Sequence, residues 1–244
     1  MRIANLNGRA ALVADGRALD IATASDGALS SDPAALFGDW DALLAWASGK
    51  DPAADPASVP FRAVELGAPS PRPTQVFGIG LNYADHAREA GLDLPTAPVV
   101  FTKFSSSVVG PDADVSLPGD TVDWEAELVV VIGRGGRDIP AEEAASRIAG
   151  YTVGQDLSER TVQWQGSPAQ FSMGKSFEGF APTGPVLVTA DELDPANLRV
   201  TTTIHTGDAT AVVQDSRTDQ LIFGIPELIA RLSRTVEQIG RAHV

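Results

Sequence analysis

The stretch that decides the fold is DWEAELVVVIG (Asp123–Gly133), in which acidic residues at alternate positions lead into a run of aliphatic residues. On a β-strand successive side chains point to opposite faces, so Asp123, Glu125 and Glu127 would share one face. Such acids are common on a solvated edge strand. Here the aliphatic run continues the same strand, which is typical of a strand buried inside a sheet. We therefore predict that the acids lie where a central strand emerges from the core.

Carboxylates held this close together need a compensating charge. Two carboxylates ~4 Å apart repel by roughly 4 kcal/mol at an effective dielectric constant near 20. A convergent trio therefore requires either bound protons or a cation, and a divalent cation is the simpler remedy. Carboxylate oxygens without Cys or His suit a hard ion such as Mg²⁺ or Mn²⁺.

The sequence on both sides of this stretch is dominated by short strand-like runs. They are VFGIG, PVVFTK, GYTVG, GPVLVT and LRVTTTIHT. After residue 70, convincing helical patterns occur only in AEEAASRIAG, which we expect Gly150 to close, and in PELIARLSR, whose apolar residues recur at helical spacing. Regular β-α-β alternation is absent, so the pattern predicts a β-rich α+β fold with a mixed or rolled sheet.

The first part of the chain predicts a smaller unit. Apolar runs separated by turns precede a helical pattern around Trp40–Ala47, and six prolines then follow between Asp51 and Pro73. A proline-rich stretch with little periodicity is typical of a linker. We therefore predict a small N-terminal strand-and-helix domain over residues 1–70 and a larger domain over residues 71–238.

Composition limits the classes of function. The 244 residues contain no cysteine, which excludes disulfides and thiolate nucleophiles and fits a reducing cytoplasm. The formal net charge of −14 argues against nucleic acid or an anionic membrane as a partner. The N-terminus lacks the pattern of a signal peptide, and no apolar run approaches membrane-spanning length. We expect a soluble, cytoplasmic protein.

Two further clusters could carry chemistry. In NYADHARE, His86 and Glu89 would be neighbours on a helix, and a carboxylate beside an imidazole can activate water. The alternative is an ordinary surface ion pair, which contributes little. The second cluster follows the strand GYTVG and comprises Asp156, Arg160 and, further on, Lys175. Its basic residues could hold the far end of an anionic substrate.

At these residues the sequence resembles the fumarylacetoacetate hydrolase family, which includes acylpyruvate hydrolases and related isomerases and decarboxylases. The segments GLNYADH, DWEAEL, GYTVGQD and GKSF match the family's motifs in order and spacing. The resemblance covers about residues 70 to 235. It implies a β-roll of mixed sheets with a smaller domain in front, assembled as a homodimer.

The resemblance also implies roles for individual residues. Glu125, Glu127 and Asp156 match metal ligands, the ion being Mg²⁺ with Mn²⁺ or Ca²⁺ as alternatives. His86 and Glu89 match a water-activating dyad on a segment that orders over substrate. Substrate-holding positions are matched by Arg160, Gln163 and Lys175. A tyrosine that some members carry a few residues beyond Gln163 is absent, and Ser167 stands about there.

The function implied is hydrolysis of a carbon–carbon bond in an acylpyruvate or other 2,4-dioxo acid similar to fumarylacetoacetate. Water activated by the His86–Glu89 dyad would attack the distal carbonyl, and Lys175 would hold the oxyanion. One alternative is an isomerase, hydratase or decarboxylase that acts on 2-oxo dicarboxylic acids in aromatic catabolism. Another is a non-catalytic ligand-binding homologue.

The end of the chain departs from the family pattern. Family members continue with a Pro-Gly-Asp turn and a Thr-Gly-Thr-Pro segment that complete the roll, and neither follows here. The last residues, Ile239–Val244, are also what a common sequencing-adapter sequence would encode. We expect that the natural sequence ends near Gln238, that 239–244 is a non-native tail in which His243 has no function, and that the catalytic domain is C-terminally truncated.

Overall fold

A computed structural model describes residues 1–89 and 91–238, together with the backbone of 242–243. Its strands are β1 (Arg2–Leu6), β2 (Arg9–Ala14), β3 (Arg17–Asp20), β4 (Val59–Pro60), β5 (Leu66–Gly67), β6 (Gln75–Gly80), β7 (Val99–Thr102), β8 (Val108–Val109), β9 (Val122–Asp123), β10 (Ala126–Ile132), β11 (Ile148–Gln155), β12 (Ser158–Glu159), β13 (Ala181–Thr189), β14 (Arg199–Thr206), β15 (Ala209–Arg217) and β16 (Ala242–His243).

The helices are fewer than the strands. They are α1 (Ile21–Ala24), α2 (Trp40–Ala47), α3 (Ala84–Glu89), α4 (Ala144–Arg147), α5 (Arg160–Gln163), α6 (Phe171–Gly174) and α7 (Ile225–Thr235). Short 3₁₀ turns cover Ala35–Gly38, Ala63–Glu65, Ser105–Ser107, Ala141–Glu143, Pro195–Asn197 and Thr218–Gln220. Among the described residues, no helix is both long and apolar enough to cross a membrane.

One large sheet organises the described part of the chain. It contains 12 strands, ordered β4-β3-β2-β1-β13-β11-β10-β16-β6-β7, with β5 beside β1 and β8 beside β13. Most neighbours are antiparallel, whereas β16 pairs with β6 and β13 pairs with β8 in parallel. Two further pairs, β9–β12 and β14–β15, lie outside this sheet. The predicted β-rich α+β class with mixed sheets is confirmed.

The strand β10 is central, as its aliphatic run predicts. It pairs with β11 over its whole length and with β16 on the other side. Val130, Val131 and Ile132 are buried. The predicted alternation of acids on one continuous strand is wrong, however, because Asp123 belongs to β9, which pairs with β12 instead. The chain turns away between Asp123 and Ala126, where β10 begins.

The helix predicted from PELIARLSR is confirmed as α7. Pro226 lies in its first turn, where a missing N–H costs nothing. Its buried residues Ile225 and Ile229 pack against the β10 and β11 residues Ile132 and Tyr151. This helix therefore covers one face of the central strands. Its residues Ile225 and Leu228 also line the cavity described below.

The strands on either side of residue 70 share the large sheet. β1 pairs with β13 at Ile3 and Leu187, and one hydrophobic cluster joins Trp40 to Val131 and Ala149. The division into domains at residues 1–70 and 71–238 stays a prediction. Of the predicted tail, 239–241 and 244 lie outside the described residues, and β16 forms where no strand was predicted.

The predicted helix end at Gly150 is wrong. α4 ends at Arg147, and Gly150 lies within β11 opposite Thr189 of β13. Ile148 and Ala149 are buried in the sheet. Burial between neighbouring strands has overridden the local helical pattern. A Cβ at position 150 would overlap the carbonyl oxygen of Val188, so the close approach of β11 and β13 requires glycine.

The substitution Gly150→Ala should therefore destabilise the protein. The methyl group meets backbone atoms that cannot rotate away, so we expect a loss of about 1–3 kcal/mol or more, which is roughly 2–4 °C in Tm per kcal/mol for a chain of this length. Thermal unfolding followed by circular dichroism measures it. Gly38→Ala is the matched control, because nothing lies within 4 Å of a Cβ there. Equal Tm values for the two variants would contradict the prediction.

Candidate active site

The eight residues singled out from the sequence all line one cavity of about 900 Å³. They are His86, Glu89, Glu125, Glu127, Asp156, Arg160, Gln163 and Lys175. Its walls include residues of strands β6, β7, β10, β11 and β15 and of helices α3, α5 and α6. The structure thus brings the predicted residues together, and their individual roles stay predictions.

Lys175 lies at the base of the cavity and joins several elements. Its side chain is 2% exposed, and its Nζ donates to Glu125 Oε2, Asp156 Oδ2 and Ser158 Oγ, each at 2.7 Å. An ammonium group has three donors, so all of them are used. Gly174 allows this position, because a Cβ there would collide with the backbone nitrogen of Gln163 as α6 packs on α5.

Lys103 is a second buried lysine at the same acids, and sequence reasoning missed it. Its Nζ donates to Asp156 Oδ1 at 2.6 Å. Burial lowers the pKa of Lys103, against the opposing effect of Asp156. The available signal was a lone lysine at the end of the apolar run PVVFTK, directly after β7. Together with Lys175 it gives both oxygens of Asp156 a cationic partner.

Arg160 binds the protein's own carboxylates in this structure. Its guanidinium donates to Asp123 Oδ2 at 2.8 Å and to Glu125 Oε1 at 2.7 Å. A third bond, from Nη1 to Gln163 Oε1, measures 2.7 Å. Two of the three residues predicted to hold substrate, Arg160 and Gln163, are therefore bonded to each other. Both oxygens of Glu125 have a cationic partner, Arg160 on one side and Lys175 on the other.

Glu127 differs from its neighbours. No hydrogen bond or ion pair to its carboxylate is found within the described ranges, although the residue lines the cavity. Burial, and then the nearby charges of Glu125 and Asp156, raise its pKa well above the ordinary value of 4.5. The same site raises the pKa of the Tyr83 hydroxyl, through burial and then through the charge of Glu127.

The charges at the base of the cavity do not balance. Its carboxylates are Asp123, Glu125, Glu127 and Asp156, and its cations are Lys103, Arg160 and Lys175. One negative charge remains when all four acids are ionised, and the set offers only oxygen ligands. Both features fit a hard divalent cation. As the side chains stand, no ready-made metal cluster is found among the described residues, because basic groups occupy the oxygens of Glu125 and Asp156.

His86 and Glu89 project from α3 at a more exposed part of the cavity. Both side chains are exposed, and no hydrogen bond joins them in the part of the chain that the structure describes. The start of α3 is fixed by Asn82, whose side chain accepts from the Phe223 N–H at 2.8 Å and donates to its carbonyl at 3.1 Å. The helix is thus anchored while the two candidate residues face open space.

The sequence from residue 75 to residue 238 matches the family model described as fumarylacetoacetate hydrolase, C-terminal. The chain belongs to this family. Human mitochondrial oxaloacetate tautomerase FAHD2A is 42% identical over 181 residues, which are 73% of this chain and 56% of that protein. The chain therefore spans little more than half the length of the curated relatives it matches.

Solved structures of the fumarylacetoacetate hydrolase fold are similar over the whole chain. A Mycobacterium smegmatis protein described as HpcE is 49% identical with a TM-score of 0.89, covering 100% of this chain and 85% of that one. Maleylpyruvate hydrolase from Sphingobium sp. SYK-6, in complex with manganese(II) and pyruvate, is 25% identical with a TM-score of 0.77, covering 100% and 86%. Two of these relatives, oxaloacetate tautomerase and maleylpyruvate hydrolase, are named as enzymes of oxo acids. For the present chain, homodimer assembly and a cytoplasmic location stay predictions.

Replacing Lys175 with Met should destabilise the metal-free protein strongly. Met keeps the length of the side chain but leaves two largely buried carboxylates without their shared cation, which typically costs about 3–5 kcal/mol. Urea unfolding measures the change. The matched control is Arg72→Met, which breaks an exposed pair with Asp32 and should cost about 0–1 kcal/mol. Similar losses in both variants would contradict the central place of Lys175.

The raised pKa of Glu127 predicts a pH-dependent stability. The folded protein favours the protonated carboxyl of Glu127. The stabilisation that this carboxyl adds to the free energy of unfolding is therefore complete below pH 4.5, its ordinary pKa. That contribution is lost as the pH rises through the raised pKa. In EDTA, Glu127→Gln should therefore become increasingly more stable than the unsubstituted protein as pH rises.

The measurement is the difference in Tm between Glu127→Gln and the unsubstituted protein across the pH range. Glu142→Gln removes an exposed carboxylate outside the cavity and should show no such trend. A difference that stays flat with pH, or that falls as pH rises, would mean that Glu127 is not held in an environment that disfavours its charge.

Proposed function

We propose that this chain is an enzyme that converts a small 2-oxo acid through its enol form, with a divalent cation at Glu125, Glu127 and Asp156. The observation that carries the proposal is the composition of the cavity. A buried base combines excess carboxylate charge with two lysines, and an exposed histidine lies on the same cavity. Such a site can hold an acid and move a proton on it.

The carboxylates of Glu125, Glu127 and Asp156 would hold Mg²⁺ or Mn²⁺. When bound, such a cation polarises a 2-oxo group and stabilises the negative charge that develops on its oxygen. The complex of maleylpyruvate hydrolase with manganese(II) and pyruvate supports this choice of ion and of ligand.

The two lysines position the acids and set the charge of the site. Lys175 and Lys103 bind Asp156 on both of its oxygens, and Lys175 also holds Glu125. The lysines cancel part of the carboxylate charge, so a bound divalent cation would leave the base positive overall and would favour an anionic substrate. Fixed ion pairs in a largely buried pocket also resist reorganisation when charge shifts. Lys175 was expected to hold an oxyanion, but all three of its donors are bonded to protein groups, which favours a positioning role.

His86 is the candidate for proton transfer. An exposed imidazole can take a proton from the carbon next to the 2-oxo group and return one to oxygen or carbon. Glu89 lies three residues along the same helix, where it can orient the imidazole when the two approach. Removal of the carbon proton and its delivery to the 2-oxo oxygen converts keto to enol without any other change in composition.

Keto–enol tautomerisation or a related isomerisation is the leading reaction. The 42% identity with oxaloacetate tautomerase supports it, as does the engagement of Lys175 by protein acceptors. The second candidate is the hydrolysis expected from the sequence, in which R–CO–CH₂–CO–COO⁻ and water give a carboxylic acid and pyruvate. The similarity to maleylpyruvate hydrolase supports that reaction. A non-catalytic homologue is disfavoured because all eight candidate residues line one cavity.

The decisive assay compares two reactions with Mn²⁺ and with EDTA: decay of the enol absorbance of oxaloacetate, and hydrolysis of acetylpyruvate. His86→Gln and Glu125→Ala should lower the metal-dependent rate by about 10²–10⁴-fold, the usual contribution of a positioned acid or base. Arg88→Gln is the control on the same helix, since Arg88 does not line the cavity.

The outcomes separate the candidates. Unchanged rates in both His86→Gln and Glu125→Ala would sink the catalytic assignment. Hydrolysis that exceeds tautomerisation in the unsubstituted protein would favour the second candidate. Saturating Mn²⁺ should also raise the Tm of the unsubstituted protein more than that of Glu127→Gln, a readout that does not depend on turnover.

A further inference from the structure

The mouth of the cavity is apolar, in contrast to its charged base. Six exposed large hydrophobic side chains line it: Leu92, Val99, Trp124, Trp164, Val212 and Val213. Trp164 is 60% exposed and Val212 is 61% exposed, whereas Lys175 at the base is 2% exposed. Exposed apolar side chains grouped around a concave site usually mark a surface that binds a ligand or partner.

An aromatic wall connects this mouth to the charged base. The ring of Trp164 contacts Phe171 edge-on with centroids 5.1 Å apart, and Phe171 contacts Phe101 edge-on at 5.8 Å. The Lys175 ammonium lies 5.1 Å from the centroid of Phe101. All four residues line the cavity. A ligand whose charged end lies at the base can therefore extend along aromatic faces towards solvent.

Among the described residues that line the cavity, no lysine or arginine is left for a second carboxylate at the mouth, and His86 is assigned to proton transfer. The lysines and arginines among its described lining residues are Lys103, Arg160 and Lys175, and each is bonded to an acid at the base. The exposed charged residues nearer solvent include Glu89 and Asp215, which repel an anion, and Asp215 is bonded to Arg199 outside the cavity. Burying an unpaired carboxylate among these groups would be unfavourable.

We infer that this site selects 2-oxo acids whose end opposite the carboxylate is apolar, and preferably aromatic, over 2-oxo dicarboxylic acids. The inference rests on the proposed function for the general substrate class, a small 2-oxo acid, and narrows it. The Trp164–Phe171–Phe101 wall receives the distal group. The preference is one of relative affinity: both classes of ligand would use the same base, so oxaloacetate at saturating concentration still reports on the proposed reaction.

Binding of three matched ligands tests the inference without any need for turnover. 2-Oxoglutarate, 2-oxopentanoate and 2-oxo-4-phenylbutanoate share one carbon chain and carry a carboxylate, a methyl or a phenyl group at the same distal position. With saturating Mg²⁺, calorimetry should give a Kd for the phenyl compound about tenfold lower than for 2-oxoglutarate, a factor in the range of one aromatic contact. The methyl compound should fall between them.

Variants of Trp164 locate the effect. Trp164→Ala should remove most of the preference for phenyl over methyl, so that the Kd values of these two compounds differ by no more than about twofold. Trp164→Lys should lower the Kd of 2-oxoglutarate relative to the methyl compound, because it places a cation at the mouth. Met173→Ala is the matched control, since Met173 is an exposed apolar residue of α6 that does not line the cavity. Its Kd order should match that of the unsubstituted protein.

Each result bears on the inference directly. Equal or tighter binding of 2-oxoglutarate, or no binding of all three ligands, overturns it. An unchanged phenyl preference in Trp164→Ala also overturns it. If Trp164→Ala instead changes the sedimentation coefficient of the protein, the apolar mouth is a contact between copies of the chain, and the inference is overturned. If the variants of the rate assays leave both rates unchanged while the three ligands keep the expected order of Kd, the proposed reaction is wrong and the inferred ligand preference stands.

Discussion

The buried ammonium of Lys175 is the constraint on which the cavity depends. It joins Glu125 before β10, Asp156 after β11 and Ser158 in β12, so three separate segments converge on one atom. A lysine with its three donors satisfied can be buried because each hydrogen bond to a charged or polar acceptor offsets the loss of hydration. If the acids were absent, the lysine would have to leave the base; if the lysine were absent, the acids would repel one another.

Much of this arrangement follows from local sequence. The aliphatic run after Glu127 predicts a central strand, and β10 is one; the amphipathic pattern after Gly224 predicts α7. These predictions hold because periodicity reports directly which face is buried. The failures are also physical. Gly150 looks like a helix end locally, but the decisive contact is with Val188, which is distant in sequence.

The candidate site was predictable as a set of residues and less so as a set of contacts. The resemblance to the family identifies eight of the residues that line the cavity, from His86 to Lys175. The motifs do not indicate which side chains bind one another. Arg160 and Gln163 bond to each other, and the carboxylate partner Lys103 belongs to no motif that was quoted. Such pairings depend on how β7, β11 and α5 meet in space, which alternation along one strand does not encode.

The connection between the two sides of the cavity has a consequence for how the protein opens. Among the described strands, β6 and β7 join the rest of the large sheet only through the two-residue strand β16. β6 precedes His86, and β7 leads directly to Lys103. The ion pair between Lys103 and Asp156 also connects the β6–β7 side to the rest of the large sheet, through side chains. Hydrogen bonds such as those between Asn82 and Phe223 also connect these two sides. Segments attached by so few backbone bonds separate at lower free energy than the sheet as a whole. A ligand that touches both sides adds a further attachment, so the architecture couples ligand binding to the association of the two sides.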